Sequence, residues 1–190
     1  MDTARHVAAL FNDPTYSDII VKAGVEQWYC HKCLLYPASK MFSDECDTSD
    51  EEGGMDEVCL DSMYPEQTIE QMLRFIYGSS EADLFGAEQG GYTRICMAAH
   101  DFGLPELLKM GLRYLRQALD QVKEPLELAT YLTGLHSKHK NDVPELFALA
   151  DEIEIERMPE LLMDEEARVW VNTRNIKAYF NRVVITRKEN

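Results

Sequence analysis

The alternation of apolar and polar residues predicts a small sheet near the start of the chain. The β-branched run from Tyr16 to Lys22 ends just before Gly24, and we expect a hairpin whose second arm begins at Gln27. Farther along, the run from Val58 to Leu60 predicts a brief buried strand. Together these segments predict a sheet of three strands.

Apolar residues at helical spacing predict helices over most of the remaining sequence. A short first helix from Thr3 to Phe11 is followed, after the hairpin, by a helical segment from His31 to Phe42. Pro65 then opens a helix at a first-turn position. The apolar face of that helix consists of Ile69, Met72, Leu73, Ile76 and Tyr77. Later helical faces are formed by Tyr92, Ile95, Cys96, Ala99 and Phe102, by Leu108, Leu112, Leu115 and Leu119, by Leu128, Leu132 and Leu135, by Leu146, Phe147, Ala150 and Ile153, and by Val169, Thr173, Ile176, Phe180 and Val183.

Two segments are predicted to be loops. Eight of the fourteen residues from Asp44 to Glu57 are acidic and none is basic, which is typical of a mobile acidic loop. The segment from Gly78 to Gly91 holds four glycines and few apolar residues, which predicts a second loop.

Composition favours a cytoplasmic or nuclear protein. The 190 residues are 45% hydrophobic, enough for one domain and an extension, with no run of about 18 apolar residues and no secretory signal at the amino terminus. Five cysteines without a disulfide framework fit a reducing compartment, and Cys59 and Cys96 are expected to be core residues. We therefore expect no association with a membrane.

The net charge of −15 opposes nonspecific binding to nucleic acid or to anionic lipid. Residues 1–108 hold 20 acids and 6 bases, whereas residues 109–190 hold 14 acids and 13 bases. From Arg168 onward there are six bases and one acid, so this tail could contact the acidic body of the chain or an acidic partner, although a solvated helix face explains it as well.

The segment from Trp28 to Phe42, WYCHKCLLYPASKMF, joins a strand to a helical turn and carries the most specific pattern in the chain. With Asp18 ahead of the first strand and with His31, Ser39 and Phe42 in place, it resembles the core of the BTB/POZ domain family. The similarity continues downstream, in a helix that ends LRFIYG at Gly78 and in the sequence AAHDFGLPEL from Ala98. It covers about residues 5 to 119, and the loop-rich style is similar to fungal BTB-only proteins.

The resemblance implies an α+β fold, with a small three-stranded sheet flanked by a helical cluster over residues 1–120. The helical spacing of apolar residues predicts a helical extension over residues 121–190. It implies that Asp18, His31, Ser39, Phe42 and Tyr77 are fold-forming residues rather than catalytic ones. A histidine between a strand and a helix can satisfy a ring N–H and a backbone carbonyl, and Ser39 can hold the start of a helix. We expect no catalysis, cofactor or metal.

The resemblance also implies protein binding and a homodimer. The apolar edge of the first helix, Val7, Leu10 and Phe11, is the candidate dimer interface, and an ordinary contact within one chain is the alternative. An unidentified second protein would bind the carboxyl-terminal helices or the acidic loop over residues 44–57.

An adaptor for a cullin-based ubiquitin ligase is a second possibility. Such adaptors often carry an apolar-x-Glu element before the strand that Val58 opens, but here that place holds Ser49, Asp50, Glu51 and Glu52. The nearest match begins at Met55 and lies too close to the strand. The sequence therefore weakens the ligase interpretation.

The pair Cys30 and Cys33 suggests two further alternatives, a thiol oxidoreductase and a metal site. A thioredoxin-like enzyme needs a cis proline before a strand, whereas Pro65 starts a helix, and both cysteines fall at small-residue positions of the resemblance. A metal site would need His136 or His139, and no second C-x-x-C completes the ligand set. We therefore expect both thiols to be packing residues.

Overall fold

A computed structural model of the chain describes residues 3–46, 55–60, 63–85, 91–138 and 143–188. The chain divides into two compact units, Met1–Gly111 and Leu112–Asn190. The first unit contains α1 (Thr3–Ala8), β1 (Ile19–Ala23), β2 (Glu26–Cys30), α2 (Lys32–Ala38), α3 (Lys40–Cys46), β3 (Asp56–Cys59), α4 (Glu66–Ile76), α5 (Glu81–Phe85) and α6 (Tyr92–Asp101). Helix α7 (Pro105–Gln121) begins in the first unit and ends in the second. The second unit continues with α8 (Pro125–Lys138), α9 (Pro144–Glu156), α10 (Met158–Met163), a 3-10 turn (Ala167–Val169) and α11 (Thr173–Lys188).

The three strands form one sheet in the order β2-β1-β3, which confirms the predicted sheet. Strand β1 pairs antiparallel with β2, where Val21 lies opposite Trp28, and parallel with β3, where Val21 lies opposite Val58. The burial of side chains alternates along β1: Ile19, Val21 and Ala23 are buried, whereas Ile20 and Lys22 are half-buried. One face of the sheet therefore packs against the helices.

The outer edge of β2 is partly covered by the segment that follows α1. The side-chain Oδ1 of Asn12 accepts a hydrogen bond from the backbone N–H of Tyr29 at 3.0 Å. Asn12 has a φ of 56°, a left-handed conformation that asparagine tolerates better than most residues. This turn ends the first helix at Ala8 rather than at the predicted Phe11.

The core of the first unit is formed by apolar residues of the sheet and the helices. The rings of Phe42 and Phe102 lie 5.3 Å apart, and both side chains are buried. Gly111 allows α6 and α7 to approach closely, because a Cβ at this position would lie 2.7 Å from Sγ of Cys96. The fully buried residues of this core include Leu35, Ile69, Met72, Leu73, Ile95 and Leu107.

The predicted helical segment from His31 to Phe42 is divided into α2 and α3. Ser39 separates the two helices with an extended backbone at φ −144° and ψ 121°. Pro37 lies in the last turn of α2 and supplies no backbone donor there. The single helical run expected from the sequence is therefore wrong at Ser39.

The two predicted loops also contain regular structure. Helix α5 lies within the Gly78–Gly91 segment and buries Leu84 and Phe85, so the prediction of one continuous loop is wrong over residues 81–85. Ser80 caps this helix, since its Oγ accepts the N–H of Asp83 at 3.2 Å and donates to Oδ2 of Asp83 at 2.6 Å. In the acidic segment, α3 continues to Cys46 and β3 begins at Asp56, while residues 47–54 lie outside the described part of the chain.

The second unit is helical, as the spacing of its apolar residues predicts. The predicted apolar faces of α8 and α9 are buried except for Phe147, which is half-buried. Two residues predicted to continue an apolar helical face, Val169 and Phe180, are exposed. The predicted domain boundary at residue 120 stays a prediction, because α7 runs through the place where the two units join. In the parts of the chain that the structure describes, no helix is long and apolar enough to cross a bilayer.

Candidate functional site

His31 lies at the junction between β2 and α2, and each of its polar atoms has a partner. Its backbone N–H donates to the hydroxyl of Tyr77 at 2.8 Å, and Nδ1 lies 2.9 Å from the same hydroxyl. Nε2 lies 3.2 Å from the carbonyl oxygen of Thr15. We assign the proton to Nε2, so that it donates to Thr15 while Nδ1 accepts from Tyr77. The ring is thereby saturated and buried, which leaves it no free position for proton transfer.

Tyr77 can serve as a donor in this arrangement because it stays protonated. Burial is the largest effect and raises the pKa of Tyr77 well above its usual range, and the nearby Cys30 raises it further. The hydroxyl is therefore protonated at neutral pH and can donate to His31.

The other residues of the predicted fold motif lie around this centre. Oδ1 of Asp18 accepts the backbone N–H of Lys32 at 2.8 Å and so caps the first turn of α2. Phe42 is fully buried. Ser39 is buried as well, but its Oγ makes no hydrogen bond within the described part of the chain, so the expectation that this side chain holds a helix start is wrong.

The Cys30 and Cys33 thiols differ in environment. Cys30 is fully buried, and burial raises its pKa to about 12, which a hydrogen bond with Tyr77 only partly offsets. A thiol with this pKa carries almost no thiolate at neutral pH and is a poor nucleophile. Cys33 is exposed and Cys59 is exposed on β3, so the expectation that these two residues are packing material is wrong, whereas Cys96 is buried.

The candidate dimer residues Val7, Leu10 and Phe11 are all half-buried. The ring of Phe11 meets that of Tyr77 edge-on at 5.5 Å, and Cζ of Arg74 lies 4.7 Å from the centre of the Phe11 ring. Phe11 therefore attaches the amino-terminal segment to α4 within one chain. Val7 and Leu10 keep part of their apolar surface in contact with solvent.

A partly buried polar cluster in the second unit was not found from the sequence. His136 of α8 places Nε2 at 3.0 Å from Oδ1 of Asp151, and Nδ1 at 3.8 Å from Oε2 of Glu154. Asn175 of α11 donates to Oδ1 of Asp151 at 2.8 Å and to Oε2 of Glu154 at 2.6 Å. The cluster connects α8, α9 and α11.

Three donor atoms of this cluster, one each from His136, Asp151 and Glu154, lie within 4.8 Å of one another, a spacing that a metal ion could bridge. Both carboxylates are nevertheless already satisfied, Asp151 in part by an ion pair with Arg174 and Glu154 in part by the N–H of Asn172 at 2.5 Å. The guanidinium beside Asp151 opposes a second cation there. The geometry is that of a structural brace.

The basic residues of the tail are partly engaged within the second unit. Arg168 pairs with Glu165 at 3.4 Å, and Arg174 pairs with Asp151 and lies 4.8 Å over the ring of Phe147. These ion pairs neutralise part of the positive charge of the segment from Arg168 onward.

Comparisons with known proteins identify a matching family. The family model of the BTB/POZ domain matches residues 7–119, more than half of the chain. Among solved structures, the BTB domain of zebrafish PATZ1 is similar at 17% identity and a TM-score of 0.48, covering 60% of this chain and 92% of that chain. A search of curated proteins gave no match. The chain belongs to the BTB/POZ domain family of protein-protein interaction modules.

Proposed function

We propose that this protein is a non-catalytic adaptor or scaffold, cytoplasmic or nuclear, that self-associates as a homodimer through Val7, Leu10 and Phe11. The observation that carries the proposal is the half-exposed apolar surface of Val7 and Leu10 beside the anchored ring of Phe11. Helix α1 has six residues and is too short to be stable without packing. A second copy would cover the apolar surface that its own chain leaves open.

Other surfaces of the same copy contribute to this dimer, because a stable interface buries about 800 Å² on each partner, more than three side chains supply. Symmetric pairing then presents two copies of the carboxyl-terminal helices and of the acidic segment to a second protein. The dimer would bind that protein more tightly than a monomer does whenever both copies engage at once.

Light scattering coupled to size-exclusion chromatography tests the dimer on the full chain. We expect a mass of twice 21.8 kDa that is constant over a range of protein concentrations. Leu10→Asp should shift the mass to that of one chain, whereas Val169→Asp, at an exposed apolar position of the second unit, should leave the dimer intact. A wild-type mass of one chain at every concentration would refute the homodimer.

A cullin-linked adaptor is the alternative, and a pull-down with a cullin amino-terminal domain tests it. Met55 is exposed and could serve as the apolar residue of the recognition element. Glu57, however, lies in β3 and forms an ion pair with Lys22 at 2.5 Å. Its carboxylate is therefore not available as the acidic residue of the recognition element. We therefore expect no retention of the cullin domain.

A thiol oxidoreductase is the remaining alternative. Because the thiol of Cys30 is buried and its pKa is raised to about 12, we expect no thiol-dependent turnover. Wild type and Cys30→Ser should reduce insulin disulfides at the same background rate. A rate that falls in Cys30→Ser would support the enzyme instead.

A further inference from the structure

A shallow pocket of about 430 Å³ lies in the first unit, where the turn between β1 and β2 meets the residues that precede α4. It is lined by Gly24, Met63, Tyr64, Pro65 and Glu66. None of the fold-motif or candidate dimer residues discussed above belongs to this lining. The pocket is therefore a separate surface of the same unit.

Gly24 allows the side chain of Glu66 to lie directly against the turn between β1 and β2. Its φ is +58°, and a Cβ built on it would lie 2.2 Å from Oε1 of Glu66. Any side chain at position 24 would therefore occupy the space in front of the carboxylate. The absence of a side chain at Gly24 therefore lets the half-buried side chain of Glu66 pack against the backbone of the turn.

The polar side of the pocket is acidic. Oε1 of Glu66 lies 3.4 Å from the backbone nitrogen of Val25, a long contact, and no lysine or arginine of the described residues pairs with Glu66. The hydroxyl of Tyr64 donates to Oδ2 of Asp101 at 2.5 Å, which places a second carboxylate beside the tyrosine ring. Glu66 therefore supplies negative charge to a pocket that is also lined by Tyr64.

The remaining walls and rim are apolar. Met63 and Pro65 are exposed, and Val25 at the adjacent turn is 91% exposed. An acidic group with methionine and proline walls matches a side chain that has an aliphatic stem and a cationic end. The surplus of acids in residues 1–108 attracts positively charged segments toward this unit from a distance.

We propose that this pocket binds a lysine or arginine side chain from a basic segment of a partner protein. The stem lies against Met63 and Pro65, and the charged end pairs with Glu66 close to Tyr64. This assignment rests on the proposed role as an interaction module and gives the chemistry of one partner. It does not depend on the homodimer, because none of Val7, Leu10 and Phe11 lines the pocket.

Amide NMR titration of the full chain tests the pocket, with a blocked pentapeptide that carries lysine between two leucines as the probe. Shifts should concentrate at Gly24, Val25, Tyr64 and Glu66. A matched peptide with norleucine in place of lysine, which keeps the stem and lacks the charge, should produce much smaller shifts at these positions. Glu66→Gln should raise the dissociation constant of the lysine peptide about fivefold.

Glu26→Gln serves as the charge-matched control, because Glu26 is an exposed carboxylate of the same hairpin that does not line the pocket. Equal shifts with lysine and norleucine, an equal effect of the two substitutions, or no shifts in the pocket would each overturn the assignment. Light scattering on Glu66→Gln distinguishes the pocket proposal from the homodimer proposal. If this variant loses peptide binding but keeps the mass of wild type, the substitution affects the pocket and not the oligomeric state.

Discussion

The hydroxyl of Tyr77 lies 2.8 Å from the backbone nitrogen and 2.9 Å from Nδ1 of His31, so one side chain satisfies two buried polar groups of a residue 46 positions away. Tyr77 follows α4, whereas His31 precedes α2. The contact therefore fixes the start of one helix against the end of another. The two residues depend on each other, because replacing either side chain leaves a polar group of the other residue without its hydrogen-bond partner.

Tyr77→Phe should lower the free energy of unfolding by about 1 to 3 kcal/mol, because it leaves two buried polar groups of His31 without a partner. Urea denaturation of the full chain measures this change. Tyr16→Phe is the matched control, since Tyr16 is 90% exposed and its hydroxyl should contribute little. A similar loss in both variants would contradict the role assigned to Tyr77.

Stability should fall as the pH rises above about 9, because the folded state holds a proton on Cys30 that the unfolded state releases. The pKa of Cys30 is raised from 9.0 to about 12, so the window is pH 9 to 12, and the slope is at most about 1.4 kcal/mol per pH unit. Cys30→Ala should make this slope shallower, measured by urea denaturation under reducing conditions. Tyr77 contributes in the same direction and remains in both proteins. An unchanged slope in Cys30→Ala would show that Cys30 does not titrate in this way.

Gly24→Ala should destabilise the first unit by about 1 kcal/mol, because alanine is strained at a φ of +58° and its Cβ would displace the carboxylate of Glu66. Gly134→Ala should instead stabilise the protein. Gly134 lies inside α8 with open space where a Cβ would be, and alanine is the better helix former there. Thermal or urea unfolding of both variants checks the pair, and destabilisation of equal size in both would contradict the argument from φ.

Asn175→Ala should destabilise the protein by about 1 to 3 kcal/mol, because it removes two hydrogen bonds from the carboxylates of Asp151 and Glu154, and Glu154 is buried. Asn181→Ala, at an exposed position of the same helix, should have little effect. Zinc ions added to wild type should leave the melting temperature unchanged if the cluster is a structural brace. A rise in melting temperature that depends on His136 would identify a metal site instead.

The sequence predicted the sheet, its hairpin and the helix that Pro65 precedes, because strong alternation and helical spacing act over short distances. It missed α5, since the glycines around that segment outweighed the capping signal of Ser80 and Asp83. Strict alternation would have placed Cys59 outward, because Val58 beside it faces inward. The more specific similarity to fungal BTB-only proteins stays a prediction.

The cluster around His136 could not be predicted because its members are far apart in the sequence. Which of the many acidic residues after position 109 becomes buried depends on how α8, α9 and α11 pack, and among those that the structure describes it is Glu154. A single sequence shows each of these residues as an ordinary polar position on a helix. Only their convergence in space distinguishes them.

The hydrogen bond from Tyr29 to Asn12 limits how copies of this protein can polymerise. An incoming strand that aligned itself along β2 would find this donor already occupied by an amide oxygen from its own chain. Open-ended growth of the sheet from molecule to molecule, the route toward fibres, is thereby hindered at this edge. The proposed homodimer would then form through surfaces made of side chains, where symmetric pairing ends with two copies.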